Sequence, residues 1–154
     1  MKVHINIDEI DRQILSILML DAKTSYQEIG KKLFISPGTV HVRLKKLTKS
    51  GLIKGSQLKV DYNLLGYDIS AFLGIYLEKS SLYDQVEAEL KKIPEVVGAH
   101  YTTGVYSIFA KVVCKDTDHL RTILSEKIQL IQGIQRTETF ISLYESINRP
   151  LALQ

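Results

Sequence analysis

The chain has 154 residues, 45% of them hydrophobic, with 20 Lys and Arg against 17 Asp and Glu and a single cysteine. That length supports two small hydrophobic cores but not one large one, and a lone cysteine excludes a disulfide framework. The longest apolar runs fall far short of the ~20 residues needed to cross a bilayer, and no basic-then-apolar leader opens the chain, so a cytoplasmic protein with no membrane partner is expected.

The net charge of +3 conceals a division. Residues 1–66 hold 11 Lys and Arg against 6 acids, whereas residues 67–154 hold 9 against 11. Between Glu28 and Asp61 there is no acidic residue, and Lys31, Lys32, Arg43, Lys45, Lys46, Lys49, Lys54 and Lys59 all fall inside that stretch. Such a block suits a polyanion, because cations that neutralise nucleic-acid phosphates release condensed counterions. A solvated lysine-rich face is the plain alternative.

In chain order, Asp8 precedes Ile10, Ile14, Ile17 and Leu18, an amphipathic first helix. Ser25 and Glu28 have the spacing of a capping box for a second helix, with Ile29 and Leu33 inward. Gly30 costs that helix roughly 1 kcal/mol relative to alanine, but it lets a neighbour approach closely. Ser36-Pro37 starts a third helix, Val40, Leu44 and Leu47 form its inner face, and Gly51 stops it. Two helices joined by a tight turn, the second basic, predict a helix-turn-helix that binds double-stranded DNA.

At about 100° per residue, Gly38, Val42, Lys45 and Lys49 point outward, His41 flanks one side, and Thr39, Arg43 and Lys46 line the other. Ser36, Gly38, Thr39, His41 and Val42 are the candidates for bases and the adjacent backbone, with Val42 suited to a thymine methyl. Arg43, Lys45, Lys46 and Lys49 are the candidate phosphate clamps. Residues 53–61 read as an extended stretch that serves as a wing, a linker strand, or both. The expected division is residues 1–60 for DNA binding, 61–66 as a fairly stiff linker and 67–154 as a second domain.

In that second domain Ile69, Ala71, Leu73, Ile75 and Leu77 alternate as a strand. A helix follows from Ser80-Ser81 to Pro94, with Leu82, Val86, Leu90 and Ile93 on one side. Val96–Tyr101 and Val105–Cys114 read as strands joined by a turn at Thr102-Thr103-Gly104. Asp116 or Thr117 opens a helix with Leu120, Leu124, Ile128 and Ile131 inward, Gly133 closes it, and Arg136–Tyr144 is the last strand. The order βαββαβ predicts an α+β, ferredoxin-like domain with both helices on one sheet face. Phe72, Tyr76 and Phe109 then fall on the opposite face, away from the row formed by Tyr106, Ile108, Ala110 and Val112. An exposed aromatic face fits a sheet-to-sheet homodimer that pairs two DNA-reading units, unless the strand register places these rings in the core.

No catalytic, metal or cofactor site is expected. His4, His41, His100 and His119 are dispersed, Cys114 alternates with core residues, and no phosphate-cradling glycine run occurs. An enzyme built on the ferredoxin-like half remains the remote alternative, since that fold hosts many functions.

These residues resemble the Lrp/AsnC, or feast/famine, family of transcriptional regulators over nearly the whole chain. Asp11-Arg12-Gln13-Ile14-Leu15 is similar to the family's first helix, and Ser36 to Leu44 to its recognition helix. Gly51-Leu52-Ile53-Lys54-Gly55 is similar to the turn into its wing, and Leu65-Gly66-Tyr67 to the end of its linker. Gly104-Val105-Tyr106-Ser107 and Thr137-Glu138-Thr139 resemble parts of its amino-acid-sensing domain. Gly30 departs from the family's usual alanine, and Ser107 stands where many members carry aspartate. The runs from Pro37 to Arg43, Tyr101 to Phe109 and Lys127 to Gln129 are most like the AsnC branch, whose ligand is asparagine. The resemblance implies an amino-acid effector bound between dimers of a higher homo-oligomer, with Tyr101, Thr103, Gly104, Val105, Tyr106, Ser107, Thr137 and Thr139 as contacts. The alternative within DNA binding is an architectural protein that ignores metabolites.

Overall fold

The computed structural model describes residues 6–153, so His4 lies outside the described residues. The chain divides into two units, the first running to Lys59 and taking in the segment from Ile147 onward, the second spanning Val60–Ser146. Sequence reasoning grouped that last segment with the second domain. In the first unit, Lys59 Nζ donates to the Asn148 carbonyl at 2.9 Å.

Three helices build the first unit: α1 (Glu9–Leu20), α2 (Tyr26–Leu33) and α3 (Pro37–Lys49). Each starts at a side chain able to accept from free N–H groups. Asp8 and Asp11 form a capping box on α1, Ser25 and Glu28 form one on α2, and Ser36 Oγ accepts from Thr39 N at 3.0 Å on α3. Ile14, Ile29, Val40 and Leu44 make the core, surrounded by Ile10, Ile17, Leu18, Leu33, Ile35 and Ile53. At Gly30 the turn into α3 closes tightly on α2: a Cβ there would stand 2.6 Å from the Ile35 carbonyl oxygen, so an alanine would force the turn to shift. After α3, residues 53 to 61 form neither helix nor strand.

The second unit holds β1 (Ile69–Leu77), α4 (Tyr83–Leu90), β2 (Val96–Tyr101), β3 (Ile108–Cys114), α5 (Thr117–Thr122) and β4 (Ile134–Ile141). The antiparallel sheet has order β2-β3-β1-β4, as the βαββαβ sequence predicts. Ala71, Leu73, Ile75, Ile108, Ala110 and Val112 pack with Val86, Leu90, Leu120, Ile123 and Ile128 of the helical side.

Two expectations are corrected here. Helix α5 continues as a π-helix over Ile123–Ile128, where Gln129 N donates to the Leu124 carbonyl at 2.9 Å. The wider turn buries Ile123 and leaves Leu124 half-buried, a shift that a uniform 3.6-residue period cannot anticipate. Strand alternation puts Tyr106 in the helix-covered row, but β3 begins only at Ile108, and the residues before it leave the alternation. Its ring instead lies over Gly74 on the aromatic face, beside Tyr76, Phe109 and Phe140.

Candidate functional site

Along α3, Val40, Leu44 and Leu47 are buried, so the opposite face meets solvent. Gly38, His41, Val42, Lys45, Lys46 and Lys49 are exposed, and Val42 keeps 66% of its surface accessible. An open valine among cations makes sense where an apolar group of a base edge covers it. Ser36 Oγ and Thr39 Oγ1 lie 2.8 Å apart at the helix start. Together with Asp8, Gly38, Val42, Arg43 and Lys46 they line one shallow depression.

Arg43 departs from expectation. Its Nη1 donates to Asp8 Oδ2 at 2.6 Å and to Asp11 Oδ1 at 2.8 Å, and its side chain is only 26% exposed. Hydrogen bonding to Asp8 and then Asp11 raises the guanidinium pKa further, and the Arg43 bond holds the Asp8 carboxyl below its ordinary value. The outward phosphate clamp drawn from helix geometry is therefore turned aside onto α1. The sequence marks Asp11 only as part of the first-helix pattern. It sits three residues before Ile14 and four after Ile7, a core-facing position, so a carboxylate there demanded a cation.

Sequence reasoning also missed Tyr26 and Phe34. The Tyr26 ring stands 5.9 Å from that of His41, extending the exposed face of α3 onto the start of α2. Phe34 is 95% exposed and is the one non-glycine with positive φ (55°) among the described residues.

In the second unit, Thr103, Gly104 and Val105 form an exposed loop tip between β2 and β3. Thr102 closes the loop, donating from Oγ1 to the Tyr106 carbonyl and from N to the Ser107 carbonyl. Ser107 is tied into the sheet: its N donates to Ile75 O at 2.9 Å and its Oγ accepts from Leu77 N at 3.4 Å. Tyr101 packs on Tyr83, with ring centroids 4.3 Å apart. Thr137 and Thr139 lie on β4, the edge strand opposite β2, and Thr137 accepts from Gln129 Nε2 at 3.5 Å. Tyr101, on β2, is three strand spacings, about 14 Å, from β4. At its β3 end the loop comes closer: Ser107 bonds to Ile75 of β1, the strand partner of Thr137, and Tyr106 reaches Glu138 between Thr137 and Thr139.

On the sheet face away from the helices, Phe72 stacks on Phe109. The hydroxyls of Tyr76 and Tyr106 donate to Glu138 at 3.0 and 2.7 Å, and Arg136 covers the Tyr76 ring. The two hydroxyls, Tyr106 first, hold the Glu138 carboxyl below its ordinary value.

A basic helix-turn-helix joined to a ferredoxin-like domain that carries a loop-borne polar site defines a DNA-binding regulator with a ligand-binding module. Family models match both parts: a winged helix-turn-helix DNA-binding domain over residues 7–54 and the Lrp/AsnC ligand binding domain over residues 70–151. The chain belongs to the Lrp/AsnC family of transcriptional regulators. It is 47% identical over 146 residues to the regulatory protein AsnC of Haemophilus influenzae, covering 95% of this chain and 97% of that one. Against the AsnC protein of Escherichia coli K12 it is 46% identical over 145 residues, covering 94% and 95%. The solved structure of E. coli AsnC superposes with a TM-score of 0.91 over 97% of this chain and 100% of that chain, at 44% identity. A Neisseria meningitidis transcriptional regulator solved in complex with L-methionine shares the fold, with a TM-score of 0.90 at 19% identity over 97% of each chain.

Proposed function

We propose that α3 reads DNA through Ser36, Gly38, Thr39, His41 and Val42, with Lys45, Lys46 and Lys49 on flanking phosphates, and that the ligand tuning this contact is asparagine. The observation that carries the DNA assignment is the solvent face of α3, where exposed hydroxyl, glycine, histidine and valine precede three exposed lysines. Short side chains near the helix start let the backbone enter the major groove, and the lysines bring affinity without sequence preference. Asparagine is supported by identity near one half with AsnC proteins along almost the whole chain and by the neutral Ser107 at the loop. The regulator acts as a sheet-to-sheet homodimer that associates further, and it works in the cytoplasm, on the nucleoid.

Binding isotherms at several salt concentrations test the DNA contact. Lys45→Ala and Lys49→Ala weaken binding to every duplex and each lower the slope of log K against log[salt] by about 1.8, one phosphate contact for each of the dimer's two copies of α3. Thr39→Ala and His41→Ala instead change the ranking of sequences. Unchanged slopes for both lysine variants remove α3 from DNA.

A further inference from the structure

We infer that Arg43 is a positioning residue of the DNA-reading helix, a strut between α3 and the start of α1, and does not bind phosphate. The inference rests on the reading that α3 lies on DNA.

The geometry turns the guanidinium inward, with Nη1 held between two carboxylates of α1 and its N-cap. Asp8 Oδ1 accepts from Asp11 N at 2.8 Å and Asp11 Oδ2 accepts from Asp8 N at 3.3 Å, which caps α1. The remaining oxygens, Asp8 Oδ2 and Asp11 Oδ1, both take Arg43 Nη1. Each carboxylate thus gives one oxygen to the helix start and one to Arg43. Asp11 is nearly inaccessible, with 2% of its side chain exposed, so releasing Arg43 to a phosphate strands a buried charge. One turn along, Lys46 Nζ reaches the Asn6 carbonyl at 3.5 Å, a weaker contact on the same side.

Arg43 sits four residues after Thr39, on the flank of the reading face. A helix with side chains has a radius of about 5 Å, so a roll of about 20° moves its outer atoms by about 2 Å. That displacement breaks a base-edge hydrogen bond, whose useful range spans about half an ångström. Holding the roll of α3 is therefore a condition for discriminating sequences, while diffuse attraction to phosphates tolerates it.

The test uses the full-length protein, a duplex selected by the wild type from a random pool, and a random duplex, each titrated at several salt concentrations. Arg43→Gln keeps the wild-type salt slope and its binding to random duplex, while its preference for the selected duplex falls about a hundredfold, the cost of one lost base contact at each of the dimer's two reading helices. Asp11→Asn loses the same preference although it removes a negative charge. Asp8→Asn, at a half-exposed position, gives a smaller loss and serves if Asp11→Asn unfolds. A slope reduced by about 1.8 in Arg43→Gln, one phosphate per protomer of the dimer, or selectivity unchanged or improved in both aspartate variants, overturns the proposal. Lys45→Ala and Lys49→Ala with wild-type slopes overturn the placement of α3 on DNA, and the strut role with it.

Discussion

Gly74 lies directly beneath the ring of Tyr106: a Cβ at Gly74 would stand 2.4 Å from Cδ1 and Cε1 of that ring. Tyr106 reaches this position because the residues before β3 leave the strand alternation, and it stays there by donating to Glu138. Gly74→Ala must push the ring off, at about 1–3 kcal/mol. Denaturant unfolding measures this, and Tyr106→Ser in the same chain recovers part of the loss. Full additivity of the two substitutions contradicts the contact.

Gly30 and Phe34 form a second coupled pair at the turn between α2 and α3. Helix propensity alone expects Gly30→Ala to stabilise by about 1 kcal/mol. The Ile35 carbonyl at 2.6 Å from the new Cβ reverses that sign, so the variant melts below wild type. Phe34→Gly does the opposite, because it removes a Cβ from the left-handed region, worth about 1–2 kcal/mol, and loses little burial from a side chain 95% exposed. A thermal shift upward for Gly30→Ala or downward for Phe34→Gly contradicts this account of the turn.

Glu138 makes the aromatic face sensitive to acid. Its folded pKa is depressed below the ordinary glutamate value of about 4.3, so its hydrogen bonds stabilise the fold above that pH and are lost as pH falls through the folded pKa. Urea unfolding at a series of pH values between about 5 and 3 shows the wild type losing stability more steeply than Glu138→Gln. Parallel curves dismiss the linkage.

The same face carries the homodimer expectation. Phe72 and Phe109 stack with centroids 5.7 Å apart and Phe140 is 46% exposed, so a second copy has a flat aromatic surface to cover. Phe72→Glu or Phe109→Glu places an unpaired charge in that contact. Sedimentation detects smaller species for both. Wild-type oligomers at low micromolar concentration in both variants reject the pairing.

For the ligand, calorimetry against single amino acids gives tighter binding of asparagine than of leucine, lysine or arginine. Ser107→Asp weakens asparagine and gains affinity for a cationic ligand, since opposite charges a few ångströms apart attract. Gly104→Val abolishes the response and leaves fold and DNA affinity intact, because the loop tip is exposed and a Cβ at Gly104 meets nothing within 4 Å in the protomer. Wild-type protein that prefers leucine, or binds none of these, removes the asparagine assignment.

Local rules carry much of this protein. The spacing of Ser25 and Glu28, of Ser36 and Pro37, and of Val40, Leu44 and Leu47 specifies helices and their inner faces, since caps and a 3.6-residue period act within a few residues of chain. Alternation from Ile69 to Leu77 does the same for the central strand, and the element order dictates the sheet topology. The direction of Arg43 escaped because it depends on two carboxylates more than thirty residues earlier in the chain. Tyr106 escaped because strand periodicity holds only while the strand lasts. Tyr101 parts from Thr137 and Thr139 while Ser107 comes near Thr137 through Ile75, because strand order, set by pairing across the whole domain, puts β2 at the far edge and β1 between β3 and β4. Where partners lie far apart in sequence, charge and periodicity fix what a side chain needs, and only the packed fold decides which group supplies it.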